Sequence, residues 1–349
     1  MVFKKNKRLI VFMILFIILI LLTFGCSSNN KENEINKETD KVSEKEEIKD
    51  NETIEKKDKI SLISKIDKWD EIEDISFSNS GGKIVIGSNS GVEIYSLQKD
   101  KIVVSNLGEK APESKNLEFS PDDSLILSGW LGVDIYNAKD LKKIKNLHGG
   151  RQSHISFSPD GSIIATGNMN GIVWLWDTDN REKIKSFDPG IDKWVTALDF
   201  TSDGKYIAAA FQDGIIRVWD IDSSELVQKF KYDIKGGIND ITFSPDDKVL
   251  AAIIPDLKRK VYIFSMETGN KKKILNAPES SVVSLDFSSD GNMFAYGEFN
   301  GKVSIWDTSD YSLIESIKLE EISSIDFSPK SNTLAIGTSD GTLYIYNNY

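Results

Sequence analysis

From residue 72 onward the chain alternates short apolar runs with polar turns, and the alternation repeats. An aliphatic-x-Phe triplet followed by a turn recurs as Ile75-Ser76-Phe77, Leu117-Glu118-Phe119, Ile155-Ser156-Phe157, Leu198-Asp199-Phe200, Ile241-Thr242-Phe243, Leu285-Asp286-Phe287 and Ile325-Asp326-Phe327. Successive phenylalanines lie 42, 38, 43, 43, 44 and 40 residues apart. A second motif, aliphatic-x-aliphatic-aromatic, ends at Tyr95, Tyr136, Trp176, Trp219, Phe264, Trp306 and Tyr346, with spacings of 41, 40, 43, 45, 42 and 40. Two independent registers with one period mark a tandem repeat.

One unit shows how each repeat folds. Thr196 to Phe200 alternates with period two, as a half-buried strand does. Ser202-Asp203-Gly204 is a turn, because Asp tolerates and Gly favours positive φ. Tyr206 to Ala210, Ile215 to Trp219 and Leu226 to Phe230 follow as strands, with Asp213-Gly214 a hairpin turn. Four strands per unit and seven units predict an all-β fold, a seven-bladed propeller of four-stranded antiparallel blades. A lone blade exposes two apolar faces, and stacking blades around an axis buries both. The last unit stops at Ile345-Tyr346, one strand short, while Ile60-Ser61-Leu62-Ile63 has no sheet of its own. That segment is expected to supply the missing outer strand and close the ring.

The residues that carry these repeats resemble the WD-repeat family. The dipeptide stands at Trp176-Asp177, Trp219-Asp220 and Trp306-Asp307, and the turns at Ser158-Pro159-Asp160-Gly161, Asp213-Gly214 and Asp340-Gly341 match as well. The resemblance covers residues 59–349. The family's Gly-His pair is absent, His148-Gly149-Gly150 being in the reverse order. The buried Asp–His–Ser/Thr–Trp network common in the family is therefore not expected. The resemblance also implies a partner-binding face.

The N-terminus reads as an address. Lys4, Lys5, Lys7 and Arg8 precede Leu9 to Leu22, 14 uninterrupted apolar residues. Sixteen residues to Phe24 span about 24 Å, short of a ~30 Å hydrocarbon core, which favours an export signal over a permanent span. Leu22-Thr23-Phe24-Gly25-Cys26 resembles a loose bacterial lipobox, which implies a signal peptide over 1–25 and lipid attachment at Cys26. The expected location is the cell membrane, lipid-anchored and facing outside the cytoplasm. The alternative is an uncleaved N-terminal anchor. Residues 26–58 then form a charged, flexible linker, since they have too few apolar side chains to offset their ordering entropy.

Composition narrows the function. Net charge is −11, and a body that acidic repels nucleic acid, whose binding depends on phosphate neutralisation. A single cysteine leaves no internal disulfide and no Cys-based zinc site, and two histidines are few for acid/base work. His154, on an inner strand, reads as structural or channel-facing, and His148 as a solvated loop residue. Glu118, Asp199, Asp286 and Asp326 share one register of the inner strands, which predicts carboxylates along the axial channel, hydrated or holding a cation. No metal, cofactor or catalytic residue is expected.

The aromatics outside the repeat pattern point to a partner site. Trp69 and Trp194 precede inner strands in the echoed string Ile-Asp-Lys-Trp, and Trp130, Met169, Phe211 and Phe299 sit at turns expected on the same end of the ring. Large aromatics grouped on one face are what binding hot spots look like. Lys258, Arg259 and Lys260 add a basic cluster in blade five. The reading is a monomeric, non-catalytic scaffold presenting this face to a protein or peptide. Alternatives are a propeller enzyme or solute-binding protein (a cofactor-dependent dehydrogenase or lactonase-like hydrolase) and a component of cell-envelope assembly or sensing.

Overall fold

A computed structural model describes residues 60–107, 116–129, 132–147, 152–231, 237–254, 260–276 and 280–348. The expected signal, the expected attachment at Cys26 and the expected linker fall outside the described residues, as do Trp130, His148, Lys258 and Arg259. The described chain forms seven four-stranded antiparallel sheets and no helix. Blades one to six lay their strands in chain order outward from the axis. Inner strands are Ile72–Phe77, Leu117–Phe119, Gln152–Phe157, Val195–Phe200, Asp240–Phe243, Val282–Phe287 and Ile322–Phe327, for blades one to seven.

The expected closure is present and longer than the sequence suggested. Ile60–Asp67 pairs antiparallel with Thr342–Asn348 and becomes the outer strand of blade seven. Its buried end matters most, because Ile66 and the following Trp69 enter the core between blades seven and one, against Ile72, Tyr95, Leu343 and Ile345. The first and last described strands thus share one blade, and unwinding either one opens that core.

Seven apolar clusters hold the described residues together, one at each blade-to-blade seam. The seam of blades four and five is typical. Ala208, Ala210, Ile216 and Val218 of one sheet meet Ile241, Phe243, Leu250, Ala252 and Phe264 of the next. Small residues on one face receive large ones from its neighbour, and each large apolar side chain buried this way stabilises by about 1.5–3 kcal/mol.

Turn chemistry adds polar staples. Gly161, Gly204 and Gly291 take positive φ at the turn after the inner strand, and at the same place in blades two and five Asp123 and Asp247 adopt φ of 60° and 55°. Those aspartates reach the preceding blade. Asp123 accepts from the backbone N–H of Asn79 at 2.5 Å, and Asp247 accepts from the N–H and hydroxyl of Ser202 at 2.8 and 2.7 Å. On the other end, Gly341 (φ +83°) lies so close to the Trp69 carbonyl that a Cβ would sit 1.7 Å from its oxygen.

Candidate functional site

The inner strands surround an axial cavity of about 1430 Å³, lined by residues from every blade. Period-two alternation explains the lining. Ile75 and Phe77 point into a seam, so Asp74 and Ser76 between them turn toward the lumen. Glu118, Asp199, Asp286 and Asp326 line the cavity as the register implied, and Asp74 and Asp240 join them from the register that also holds His154. No lysine or arginine is among the lining residues described.

Five of these carboxylates bond to the next blade, while Asp240 accepts from Ile241 N–H of its own strand. Asp326 accepts from Phe77 N–H at 2.5 Å, Asp199 from Phe243 N–H at 2.7 Å and Asp286 from Phe327 N–H at 2.7 Å. Glu118 accepts from Phe157 N–H with both oxygens at 3.2 Å. Asp74 accepts from Leu117 N–H at 2.7 Å and from the Ser324 hydroxyl at 2.7 Å. Strands of adjacent blades do not form a common ladder here, so these side chains satisfy backbone donors that would otherwise face the lumen. Hydration or cation binding alone, the sequence expectation, leaves out this stapling role. Among the described residues no three His, Cys, Asp or Glu side chains lie together as a metal ligand set.

Desolvation shifts the carboxylates of the ring upward, so each holds its proton more tightly than a free side chain does. Desolvation raises Asp74 and Asp199 to about 7 and Glu118 and Asp240 to about 8, against the opposing pull of their backbone hydrogen bonds. Asp286 is raised to about 6 by desolvation, and Asp326 is raised well above the usual range by desolvation and then by Asp286 beside it. His154 is lowered to about 4 by desolvation alone, so at neutral pH it is an uncharged ring on the channel wall.

The mouth of the cavity brings together three of the expected partner residues. Met169, Trp194 and Phe299 line it, with Trp194 45% and Phe299 52% exposed. Each comes from a turn or lead-in loop at the same end of the ring, where Asn89, Glu71 and Ser339 also lie. Trp69 and Phe211 are not part of that surface. The Trp69 indole is buried, donating to the Glu93 carboxylate at 2.6 Å, while Glu93 also accepts from Ser105. Phe211 is fully buried, edge-on to Trp219 and beneath the Arg217 guanidinium. A turn position alone does not say which way an aromatic points. Lys260 opens the third strand of blade five and does not line the cavity. Asp74 and Asp240 escaped the sequence reading as channel acids, although they sit two residues before the phenylalanine-flanked register and share its face. Part of the network thought absent does form: Trp176 Nε1 donates to the buried Thr166 hydroxyl at 2.9 Å, without a histidine.

Comparison with known proteins agrees with this architecture. The family model described as the Vps8 β-propeller matches residues 155–269. The family model described as eukaryotic translation initiation factor eIF2A matches residues 34–167 and 216–349, more than half of the chain. Among curated relatives, a periodic tryptophan protein 2 homolog from Caenorhabditis elegans is 29% identical over 202 residues, 57% of this chain and 21% of its own. Its Schizosaccharomyces pombe counterpart is 29% identical over 90 residues, 25% of this chain and 10% of its own. The minichromosome loss protein 1 of the same yeast is 23% identical over 221 residues, 63% of this chain and 23% of its own. This chain spans about a quarter or less of the length of these relatives. With seven blades, Trp-Asp strand ends and that family match, the chain belongs to the eIF2A-model family of WD-repeat-like β-propellers.

Proposed function

We propose that this protein is a non-catalytic binding scaffold, held by a lipid at Cys26 on the outer side of the cell membrane, whose aromatic channel mouth captures a protein or peptide. The observation that carries the reading is the pair Trp194 and Phe299, two large aromatics left exposed beside a preformed cavity. Exposed aromatics on rigid elements lose little entropy on binding and supply most of an interface's energy. A non-catalytic role is supported by the channel chemistry: its carboxylates are committed to backbone donors and its half-buried histidine is neutral. Membership of a propeller family fits a scaffold, and the basic, apolar N-terminus ending in Gly25-Cys26 supports the anchor. Anchoring raises the effective concentration of the face toward membrane neighbours.

The test is quantitative capture from solubilised membranes by the parent and by Trp194→Ala/Phe299→Ala. Loss of the captured species by roughly tenfold or more, with an unchanged melting temperature, is expected. Equal capture by both would overturn the assignment of this face.

A further inference from the structure

The rim of the disc carries a pattern that neither the channel nor its mouth uses. In every blade the pairing of the third and outer strands slips by one residue, at Ile94/Tyr95, Ile135/Tyr136, Leu175/Trp176, Val218/Trp219, Ile263/Phe264, Ile305/Trp306 and, in the closing strand, Leu62/Ser64. The residue left unpaired on the outer strand is Val103, Ile144, Ile184, Val227, Lys272, Ile314 or Ile63, aliphatic in six cases of seven. A bulge blunts an open sheet edge, which explains the slip but not the aliphatic residue placed on it. In blades two to four that residue stands out in solvent, Ile144 at 42%, Ile184 at 52% and Val227 at 45% exposed; Ile63 of blade seven, at 53%, does so too, but its strand lacks the lysine excess described next.

Lysines surround these tips on one arc only. The outer strands of blades two to five, Lys143–Leu147, Lys183–Phe187, Leu226–Lys231 and Lys271–Asn276, hold nine lysines and no acid. Ile144 stands between Lys143 and Lys145, and Ile184 between Lys183 and Lys185. Edge protection by lysine would serve all seven blades alike. Yet Leu313–Lys318 carries Glu315, Ile60–Asp67 ends in Asp67, and Lys101–Leu107 has one lysine. The arc is continuous: Lys145 donates to the Arg181 carbonyl of blade three at 3.1 Å, and Lys185 reaches the Ile221 and Asp222 carbonyls of blade four. In a chain of net charge −11 these four strands make a positive edge, with Lys143 ion-paired to Asp134 at 2.8 Å.

From this we infer that the rim of blades two to four is a contact surface for anionic lipid headgroups. Lysines lay their stems along the surface and hold their ammonium groups at phosphate depth, while each aliphatic tip enters the acyl boundary. A bilayer fits better than a protein here. Single tips, one per blade on a convex edge, give a protein no packed centre, whereas a fluid surface moulds around each of them. Nucleic acid fits less well, since aliphatic tips offer no face for base stacking. Contact at this arc stands the disc on edge, which leaves the aromatic mouth accessible from the side. The inference rests on rim chemistry and does not require the mouth to bind anything.

The test uses the full chain with Cys26→Ser and one new cysteine carrying an environment-sensitive fluorophore, either Ile184→Cys on the arc or Glu315→Cys on the opposite rim. Because both labels ride on the same N-terminus, membrane attachment through that segment cannot by itself distinguish them. With mixed phosphatidylglycerol and phosphatidylcholine vesicles bearing brominated chains, quenching is expected at position 184 and not at 315. It should vanish with pure phosphatidylcholine. In the Lys229→Gln/Lys231→Gln background the lipid needed for half-maximal quenching should rise roughly tenfold or more, at about fivefold per lysine. No quenching at 184, equal quenching at both positions, or equal quenching with neutral vesicles would overturn the proposal. Shielding of the 184 label only on adding a membrane-protein extract would also overturn it, and would give the rim to a protein.

Discussion

Replacing Asp199 by Asn should change how the propeller's stability depends on pH. In the folded state Asp199 is raised from 3.8 to about 7 by desolvation, while its Oδ2 accepts from Phe243 N–H at 2.7 Å. A raised carboxylate binds its proton more tightly folded than unfolded. Its contribution is therefore complete below about pH 4 and is lost as pH rises toward 7. Three pKa units at about 1.36 kcal/mol each set a ceiling of roughly 4 kcal/mol on that loss, and access from the lumen screens part of it. Six such penalties acting independently would exceed the whole stability of an ordinary domain, about 5–15 kcal/mol. The ring must therefore titrate as a coupled set that keeps some of its protons at neutral pH. Asparagine retains an acceptor for Phe243 and removes the charge. The assay is urea unfolding of parent and variant from pH 5 to pH 8.5. The parent should weaken across that range, and Asp199→Asn should weaken less, by up to roughly 3 kcal/mol, since only the two units between pH 5 and 7 fall inside the window. Parallel profiles, or a parent that gains stability with rising pH, would refute desolvation as the dominant force on this ring.

Two further outcomes follow from the closure. Deleting residues 60–67 removes the outer strand of blade seven and Ile66 from the last seam, so the melting temperature should fall by about 10 °C or more. An unchanged melt would show that the ring is held shut elsewhere. Gly341→Ala combines positive φ with a Cβ 1.7 Å from the Trp69 carbonyl oxygen and should cost roughly 2–4 kcal/mol. Gly190→Ala, with φ of +71° but nothing within 4 Å, should cost about 1 kcal/mol. Equal losses in the two variants would mean that the contact with the closing segment carries no weight.

The repeat by itself determines the architecture. An aliphatic-x-Phe triplet at a steady spacing leaves only one economical way to bury both faces of seven small sheets, and the orphan segment at Ile60 had one place to go. The channel register was legible for the same reason, since strand alternation assigns Glu118 and Asp199 to the face opposite Leu117 and Phe200. Direction and company were not legible. Trp194 and Phe211 both flank strands in blade four, yet one lies open at the mouth and the other is sealed under Arg217. The carboxylates' bonds to Phe77, Phe243 and Phe327, and the lysine bonds across two seams of the rim, join residues 36 or more positions apart. Period-two patterning records which face of a strand a side chain takes, but the neighbour it meets there is set only when blades close around the axis.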